Sequence, residues 1–257
     1  MINLLASGVY FSGFVKDTLC LPRPLSPPLQ RITRSHSAAL EYGFPSTHST
    51  NAVSVVVYAL YSLNTTTRSI QPLLNIFLQF LIYAYLFSIV VGRLYCGMHG
   101  FFDVVVGCAL GGLLATIQCL VEETFDNWIL RGTILNLIIF SLVVLVLVRV
   151  HPEPADDCPC YDDSVSFAGV VMGVQAGNWH FAQSGYASNE PVFGAIPFSL
   201  EEAGLLKASL RLLLGVMVVF VWRAAAKPTL LAILPPIFRI IEQLGLTLPR
   251  AFYLRAS

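Results

Sequence analysis

The apolar runs of this sequence restrict its fold more than any other feature. Four of them approach the roughly 20 residues that a helix needs to cross a bilayer: 73–91, 102–121, 133–150 and 205–222. Three more are shorter, rich in glycine or interrupted by prolines: 50–63, 166–179 and 230–246. Because a spanning segment must satisfy its backbone internally, we predict an all-α, polytopic integral membrane bundle of about six or seven transmembrane helices.

Composition supports a membrane location. Hydrophobic residues make up 56% of the chain and charged residues only 12%, whereas about a quarter of a soluble domain is charged. The formal net charge is zero, which argues against a nucleic-acid partner. Residues 2–15 are apolar but shorter than a span. We interpret them as the end of a helix whose beginning is missing, so that 1–257 forms a single membrane-embedded domain with a truncated amino terminus.

The ionisable side chains of the first half gather on one face of the membrane. If residues 50–63 cross the bilayer and residues 73–91 return, the chain re-emerges on the face where His48 lies. The loops at that face carry three cations and two imidazoles: Lys16, Arg23, His48, Arg93 and His99. The sequence therefore predicts a cationic site at one membrane surface.

The spacing within this group suggests its chemistry. His99 and Asp103 are four residues apart, which places them on one side of a helix. A carboxylate there can hold the imidazole in one tautomer and leave its other nitrogen free as a nucleophile. His48 is available as a proton donor. The cations, with Ser46 and Thr47 at a helix amino terminus, suit a dianion. Together these groups indicate phosphoryl transfer.

Three motifs in order carry a family resemblance. Residues 16–24 (KDTLCLPRP) resemble K-x6-R-P, residues 42–49 (YGFPSTHS) contain P-S-x-H, and residues 92–103 (GRLYCGMHGFFD) resemble S-R-x5-H-x3-D, with Gly92 in place of the serine. This is the motif set of the type 2 phosphatidic acid phosphatase (PAP2) superfamily. The resemblance implies a PAP2 and vanadium-haloperoxidase-like helical core. The surrounding residues most resemble sphingosine-1-phosphate phosphatases, especially the fungal long-chain-base phosphate phosphatases.

The resemblance also implies a role for each motif residue. His99 would attack phosphorus to form a phosphohistidine, Asp103 would hold His99, and His48 would protonate the leaving lipid alkoxide and later activate water. Neither a metal nor another cofactor is implied. The phosphate would be held by five residues: Lys16, Arg23, Ser46, Thr47 and Arg93.

The expected substrate is a sphingoid base 1-phosphate (of sphingosine, dihydrosphingosine or phytosphingosine) whose hydrocarbon tail stays in the bilayer. The resemblance implies a multi-pass protein of the endoplasmic reticulum with its catalytic face in the lumen. The N-x-T sequence at Asn64 then lies on the cytosolic side and should stay unglycosylated. Two alternatives remain: a phosphatase of phosphatidic acid, lysophosphatidic acid or dolichyl pyrophosphate, and a non-catalytic membrane protein with a relic or truncated site.

Each assignment also has a structural alternative. Basic residues at helix ends often lie at the interface without catalytic use, and Ser46 or Thr47 can simply cap a helix. His48, His99 and Asp103 could bind a metal, but three adjacent cations disfavour that interpretation. Zinc binding by Cys158 and Cys160 is also disfavoured, because no second close Cys or Cys/His pair has ligand spacing.

Overall fold

The computed structural model describes residues 1–26, 28, 30–33, 40–66, 71–184 and 204–245. These residues form seven α-helices: α1 (Ile2–Leu19), α2 (Thr47–Thr66), α3 (Pro72–Tyr95), α4 (Phe101–Leu130), α5 (Ile134–Val150), α6 (Cys160–Gln183) and α7 (Leu205–Gln243). The helices α3, α4 and α7 are long and apolar enough to cross a membrane, and α5 is a shorter apolar helix. The predicted all-helical membrane fold is therefore confirmed.

The chain divides into two compact units, Met1–Phe193 and Gly194–Ser257. In the first unit, α2 packs against α1, α3 and α4, and α1 also packs against α6. The candidate motifs lie at the ends of α1, α2, α3 and α4 and in the adjoining loops, so this packing holds them together. The proposed single-domain organisation of the whole chain stays a prediction.

Two glycines on one side of α4 let it approach the start of α2 closely. A Cβ atom on Gly107 would lie 2.6 Å from the carbonyl oxygen of Ser46, and one on Gly111 would overlap the carbonyl oxygen of Thr50. The hydroxyl of Ser54 donates a hydrogen bond to the carbonyl of Gly111 over 3.1 Å. Backbone-to-backbone contact of this kind is typical of helix pairs in membranes, and it fixes the position of the α2 amino terminus.

The helix of the second unit differs from expectation. The sequence predicted two apolar segments, 205–222 and 230–246, the latter interrupted by prolines. The structure instead has one continuous helix, α7, with Pro228, Pro235 and Pro236 inside it; residue 246 lies outside the described residues. A proline removes one helical hydrogen bond and can kink a helix, but such losses are tolerated in apolar helices of membrane proteins. The expected break is therefore wrong.

Candidate active site

Backbone hydrogen bonds join the three motifs directly. The N–H of Gly43 donates to the carbonyl of Leu21 over 2.8 Å, and the N–H of Ser46 donates to the carbonyl of Asp103 over 3.0 Å. The approach at Gly43 requires glycine, because a Cβ atom there would lie 2.9 Å from the carbonyl oxygen of Pro22. Motif segments that are distant in sequence are thus held together by main-chain contacts.

Arg23 is buried in the middle of the site, with 6% of its surface exposed. Its Nε donates to the carbonyl of Glu41 over 2.9 Å, and its Nη2 donates to the Glu41 carboxylate over 2.7 Å. Its Nη1 donates to the carbonyl of Met98 over 2.7 Å and lies 3.1 Å from Nε2 of His99. The guanidinium is therefore fixed beside the predicted nucleophile.

The imidazole of His99 is held in one tautomer by a backbone carbonyl. Its Nδ1 donates to the carbonyl of Gly43 over 2.8 Å, so a neutral ring carries its lone pair on Nε2. The carboxylate of Asp103 lies 3.9 Å from Nδ1 and accepts the N–H of Gly100 over 2.7 Å at the start of α4. Gly43 is thus the nearer orienting group, and the predicted role of Asp103 stays a prediction.

Electrostatics keep the unliganded His99 neutral. Burial, together with the positive charges of Arg23 and Lys16, lowers the pKa of His99 to about 3. An imidazole of this kind is unprotonated at neutral pH and can act as a nucleophile at Nε2. A bound phosphate would oppose the positive charges and favour the imidazolium that forms on attack.

His48 lies in the first turn of α2, and it interacts with several of the charges that act on His99. The charges of Arg93, Glu41, Lys16 and Arg23 act on His48, and the last three of these also act on His99. His48 lines a cavity of about 260 Å³ together with residues of α1, α2, α3, α6 and the preceding loop, among them Glu41, Thr47, Asn51, Tyr85 and Asp163. The structure thus brings both predicted imidazoles into one charged cluster.

The phosphate-binding candidates differ in their surroundings. The hydroxyl of Ser46 accepts hydrogen bonds from the N–H of Ser49 over 3.3 Å and from its hydroxyl over 2.9 Å, as a helix cap does. The Thr47 hydroxyl accepts from Ser12 over 2.9 Å. Arg93 lies in the last turn of α3. Because the N–H groups of Ser46 and Ser49 already donate within the site, those of Thr47 and His48 are the ones that the first helical turn can offer a phosphate.

Glu41 is the site residue that the motif analysis missed. Its carboxylate contacts Lys16, which is 1% exposed, and Arg23. Burial acts to raise the pKa of Glu41, but the charges of Lys16 and Arg23 outweigh it and the pKa lies below its usual value. A signal was present, since Glu41 is the only acidic residue between Asp17 and Asp103.

The charges of the cluster suit a phosphate monoester. Lys16, Arg23 and Arg93 contribute three positive charges to the site, which also holds the carboxylates of Glu41, Asp103 and Asp163. A phosphate monoester is close to a dianion at neutral pH. The three cations can therefore neutralise such a group beside the Nε2 atom of His99.

Known proteins are similar to this chain in sequence. Residues 1–125 match the family described as the PAP2 superfamily. A dihydrosphingosine 1-phosphate phosphatase of Schizosaccharomyces pombe is 44% identical over 242 residues, which cover 93% of this chain and 57% of that protein. A second protein of that name, from Saccharomyces cerevisiae, is 34% identical over 229 residues, covering 89% of this chain and 54% of that protein.

A human protein named sphingosine-1-phosphate phosphatase 2 is 30% identical over 246 residues, which cover 91% of this chain and 58% of that protein. The chain thus spans somewhat more than half the length of these relatives. No solved structure matches it. The predicted resemblance is confirmed: residues 1–125 of this chain match the PAP2 superfamily.

Proposed function

We propose that this protein is a lipid phosphatase that hydrolyses sphingoid base 1-phosphates to the free base and inorganic phosphate without a metal ion. The observation that carries the proposal is the contact between Nη1 of Arg23 and Nε2 of His99 over 3.1 Å, in a site that also contains the cations Lys16 and Arg93. The choice of lipid is supported by the relatives at 44% and 34% identity, which are named dihydrosphingosine 1-phosphate phosphatases.

The proposed reaction has two steps. First, Nε2 of His99 attacks phosphorus while the bond from phosphorus to the lipid oxygen breaks, and His48 gives its proton to the departing alkoxide. The carbonyl of Gly43 and the carboxylate of Asp103 stabilise the cationic ring. Second, His48 takes a proton from water, which attacks the phosphohistidine and releases phosphate and neutral His99.

The phosphate is held throughout by fixed positive charge. Lys16, Arg23 and Arg93 stabilise the negative oxygens of phosphorus in the transition state, and the N–H groups at the start of α2 add to this stabilisation. Ser46 and Thr47 supply that helix start. These groups replace the charge that a metal ion provides in other phosphoryl transfers.

We further propose that the whole chain works as one membrane-embedded domain in the endoplasmic reticulum, with the site facing the lumen. A site at the ends of apolar helices suits a substrate whose phosphate lies in the polar layer while its tail stays in the bilayer. The helices long enough to span a membrane support the membrane location. The organelle and the orientation rest on the family resemblance.

The test is phosphate release by the purified protein in detergent with EDTA, with and without added Mg²⁺. Dihydrosphingosine 1-phosphate should give the highest kcat/KM, and Mg²⁺ should not change it. Phosphatidic acid, lysophosphatidic acid and dolichyl pyrophosphate are the comparison substrates. A clear preference for one of these would replace the lipid assignment, dependence on Mg²⁺ would contradict the mechanism, and no release from any lipid would indicate a non-catalytic protein.

A further inference from the structure

A second group of reactive side chains lies at the end of α1, beside the phosphate-binding cluster, and one of its members, Cys160, lines the same cavity as His48. The group consists of Asp17, Cys158 and Cys160, whose ligand atoms all lie within 4.8 Å of one another. All three residues are buried, with 3%, 7% and 4% of their surfaces exposed. They come from two distant parts of the chain, since Asp17 follows Lys16 in α1 and the cysteines stand at the start of α6.

The carboxylate of Asp17 indicates that this group binds a cation. Its side chain is fully buried; the thiols of Cys158 and Cys160 are its nearest polar neighbours, and within the described part of the chain neither of its oxygens receives a hydrogen bond from a nitrogen or oxygen donor. The ring of His151 lies alongside, with its Nδ1 3.8 Å from Oδ2 of Asp17, beyond hydrogen-bond distance, and 2.9 Å from the carbonyl of Pro152. A buried ionised carboxylate is strongly destabilising unless a cation lies beside it or the group takes up a proton, and the two adjacent sulfur ligands favour the cation.

The ligand types select the cation. Two sulfur atoms and one carboxylate oxygen suit Zn²⁺, whereas Mg²⁺ and Ca²⁺ prefer oxygen ligands alone. In a tetrahedral zinc site, bonds of about 2.3 Å to sulfur and 2.0 Å to oxygen place the ligand atoms about 3.5–3.8 Å apart, a separation compatible with the spacing of this group. Binding would release the protons of both thiols.

We propose that Asp17, Cys158 and Cys160 form a structural Zn²⁺ site, with a water molecule as the fourth ligand. The sequence argued against zinc because the two cysteines lack a second close pair, but the fold supplies the missing ligand from α1. Cys158 and Cys160 also pack against Tyr42, the neighbour of Glu41. The metal therefore ties the end of α1, which carries Lys16, to the start of α6, against which Tyr42 packs.

The test is the metal content of the full chain, purified without chelator and dialysed against Zn²⁺ and then against metal-free buffer. We expect about one zinc ion per chain, measured by elemental mass spectrometry. The content should fall by at least about tenfold in Cys158→Ser, Cys160→Ser and Asp17→Asn, and stay unchanged in the control Cys119→Ser, which alters a cysteine of α4.

A second measurement keeps the test decisive if those variants fail to fold. The wild-type protein loaded with Co²⁺ should show the absorption of a thiolate-to-cobalt charge transfer, and adding Zn²⁺ should abolish it. Absence of both zinc and this band would overturn the proposal. So would an intact mass lower by two hydrogens that shows a disulfide between Cys158 and Cys160. The two proposals can fail separately, because zinc content and the cobalt band are measured without substrate, and phosphate release is measured on zinc-loaded protein without chelator as well as in EDTA.

Discussion

At the scale of single residues, Arg23 connects the anion site to the nucleophile. It makes three hydrogen bonds to Glu41 and Met98 and approaches Nε2 of His99. Lysine keeps the charge but cannot reproduce this planar set of donors. The variant Arg23→Lys should therefore lower kcat/KM by about 10- to 100-fold, which corresponds to the loss of charge-assisted hydrogen bonds.

The measurement is the steady-state phosphate release from dihydrosphingosine 1-phosphate by each variant. The matched control is Arg149→Lys, which makes the same change in the last turn of α5, away from the motif residues, and should leave the rate unchanged. An Arg23→Lys protein with wild-type kcat/KM would show that the guanidinium geometry is not needed.

Glu41 is expected to position the two cations of the first motif. Without its carboxylate, Lys16 and Arg23 lose their shared partner, so Glu41→Ala should lower kcat by about tenfold or more. Asp163 lines the same cavity, and Asp163→Asn is the control for removing a negative charge there. Equal effects of the two substitutions on kcat would mean that only the cavity charge matters.

The depressed pKa of His99 predicts how stability depends on pH. In the unfolded chain a histidine takes up a proton as the pH falls through about 6.5, whereas folded His99 stays neutral down to about 3. Its contribution to the free energy of unfolding is fully present above pH 6.5 and is lost progressively as the pH falls from 6.5 towards 3. At pH 5 the loss is about 2 kcal/mol. The protein should thus melt at a lower temperature at pH 5 than at pH 7.5.

The melting temperature is measured in detergent and in phosphate-free buffer, because a bound anion would raise the pKa of His99. The variant His99→Gln lacks the titrating group, and its melting temperature should change less between these two pH values. If wild type and variant show the same change, another group controls the acid sensitivity.

The sequence predicted the site residues but not all of their contacts. Motif order and crossing direction were enough to place His48 and His99 on one face. The contacts of Glu41 and Gly43 could not be predicted, because they depend on how the segment between Arg23 and His48 returns to the end of α1. The third ligand of the proposed zinc site, Asp17, was missed because the sequence does not show that the end of α1 packs beside the start of α6.

At the scale of helices, the contact between α2 and α4 depends on Gly111. A methyl group there would overlap the carbonyl oxygen of Thr50, and overpacking of this kind costs about 1–3 kcal/mol. Gly111→Ala should therefore lower the melting temperature and the activity together. In Gly112→Ala, the added atom would lie 4.0 Å from Cγ1 of Val53, an ordinary contact, so this neighbouring variant is the matched control.

Melting temperature and phosphate release are measured on both glycine variants in one detergent. Two variants with the same behaviour would show that close approach of the backbones is not required at this position. The apolar length of α3 and α4 was predictable from hydropathy. The glycine contact was not, since hydropathy does not show which helices are neighbours.

At the scale of the whole molecule, the orientation in the membrane can be tested by glycosylation. Asn64 lies in the last part of α2, which the proposed topology places on the cytosolic side, so it should remain unmodified. Ser35→Asn creates an acceptor sequence, with His36 and Ser37 following, in the segment that joins Arg23 to Glu41. That acceptor should be glycosylated, as an endoglycosidase-sensitive shift in mass would show. A glycan on Asn64 and none at position 35 would show that the orientation is opposite to the proposed one.

The central claim is that Nε2 of His99 attacks a phosphate bound by the charged cluster. It is tested most directly by rapid mixing of the purified protein with dihydrosphingosine 1-phosphate carrying radioactive phosphorus, in EDTA, followed by an alkaline quench. We predict labelled protein whose bond is stable to alkali and labile to acid, as expected of phosphohistidine, and no label in His99→Ala. Equal labelling of His99→Ala, or wild-type turnover by that variant, would contradict the mechanism.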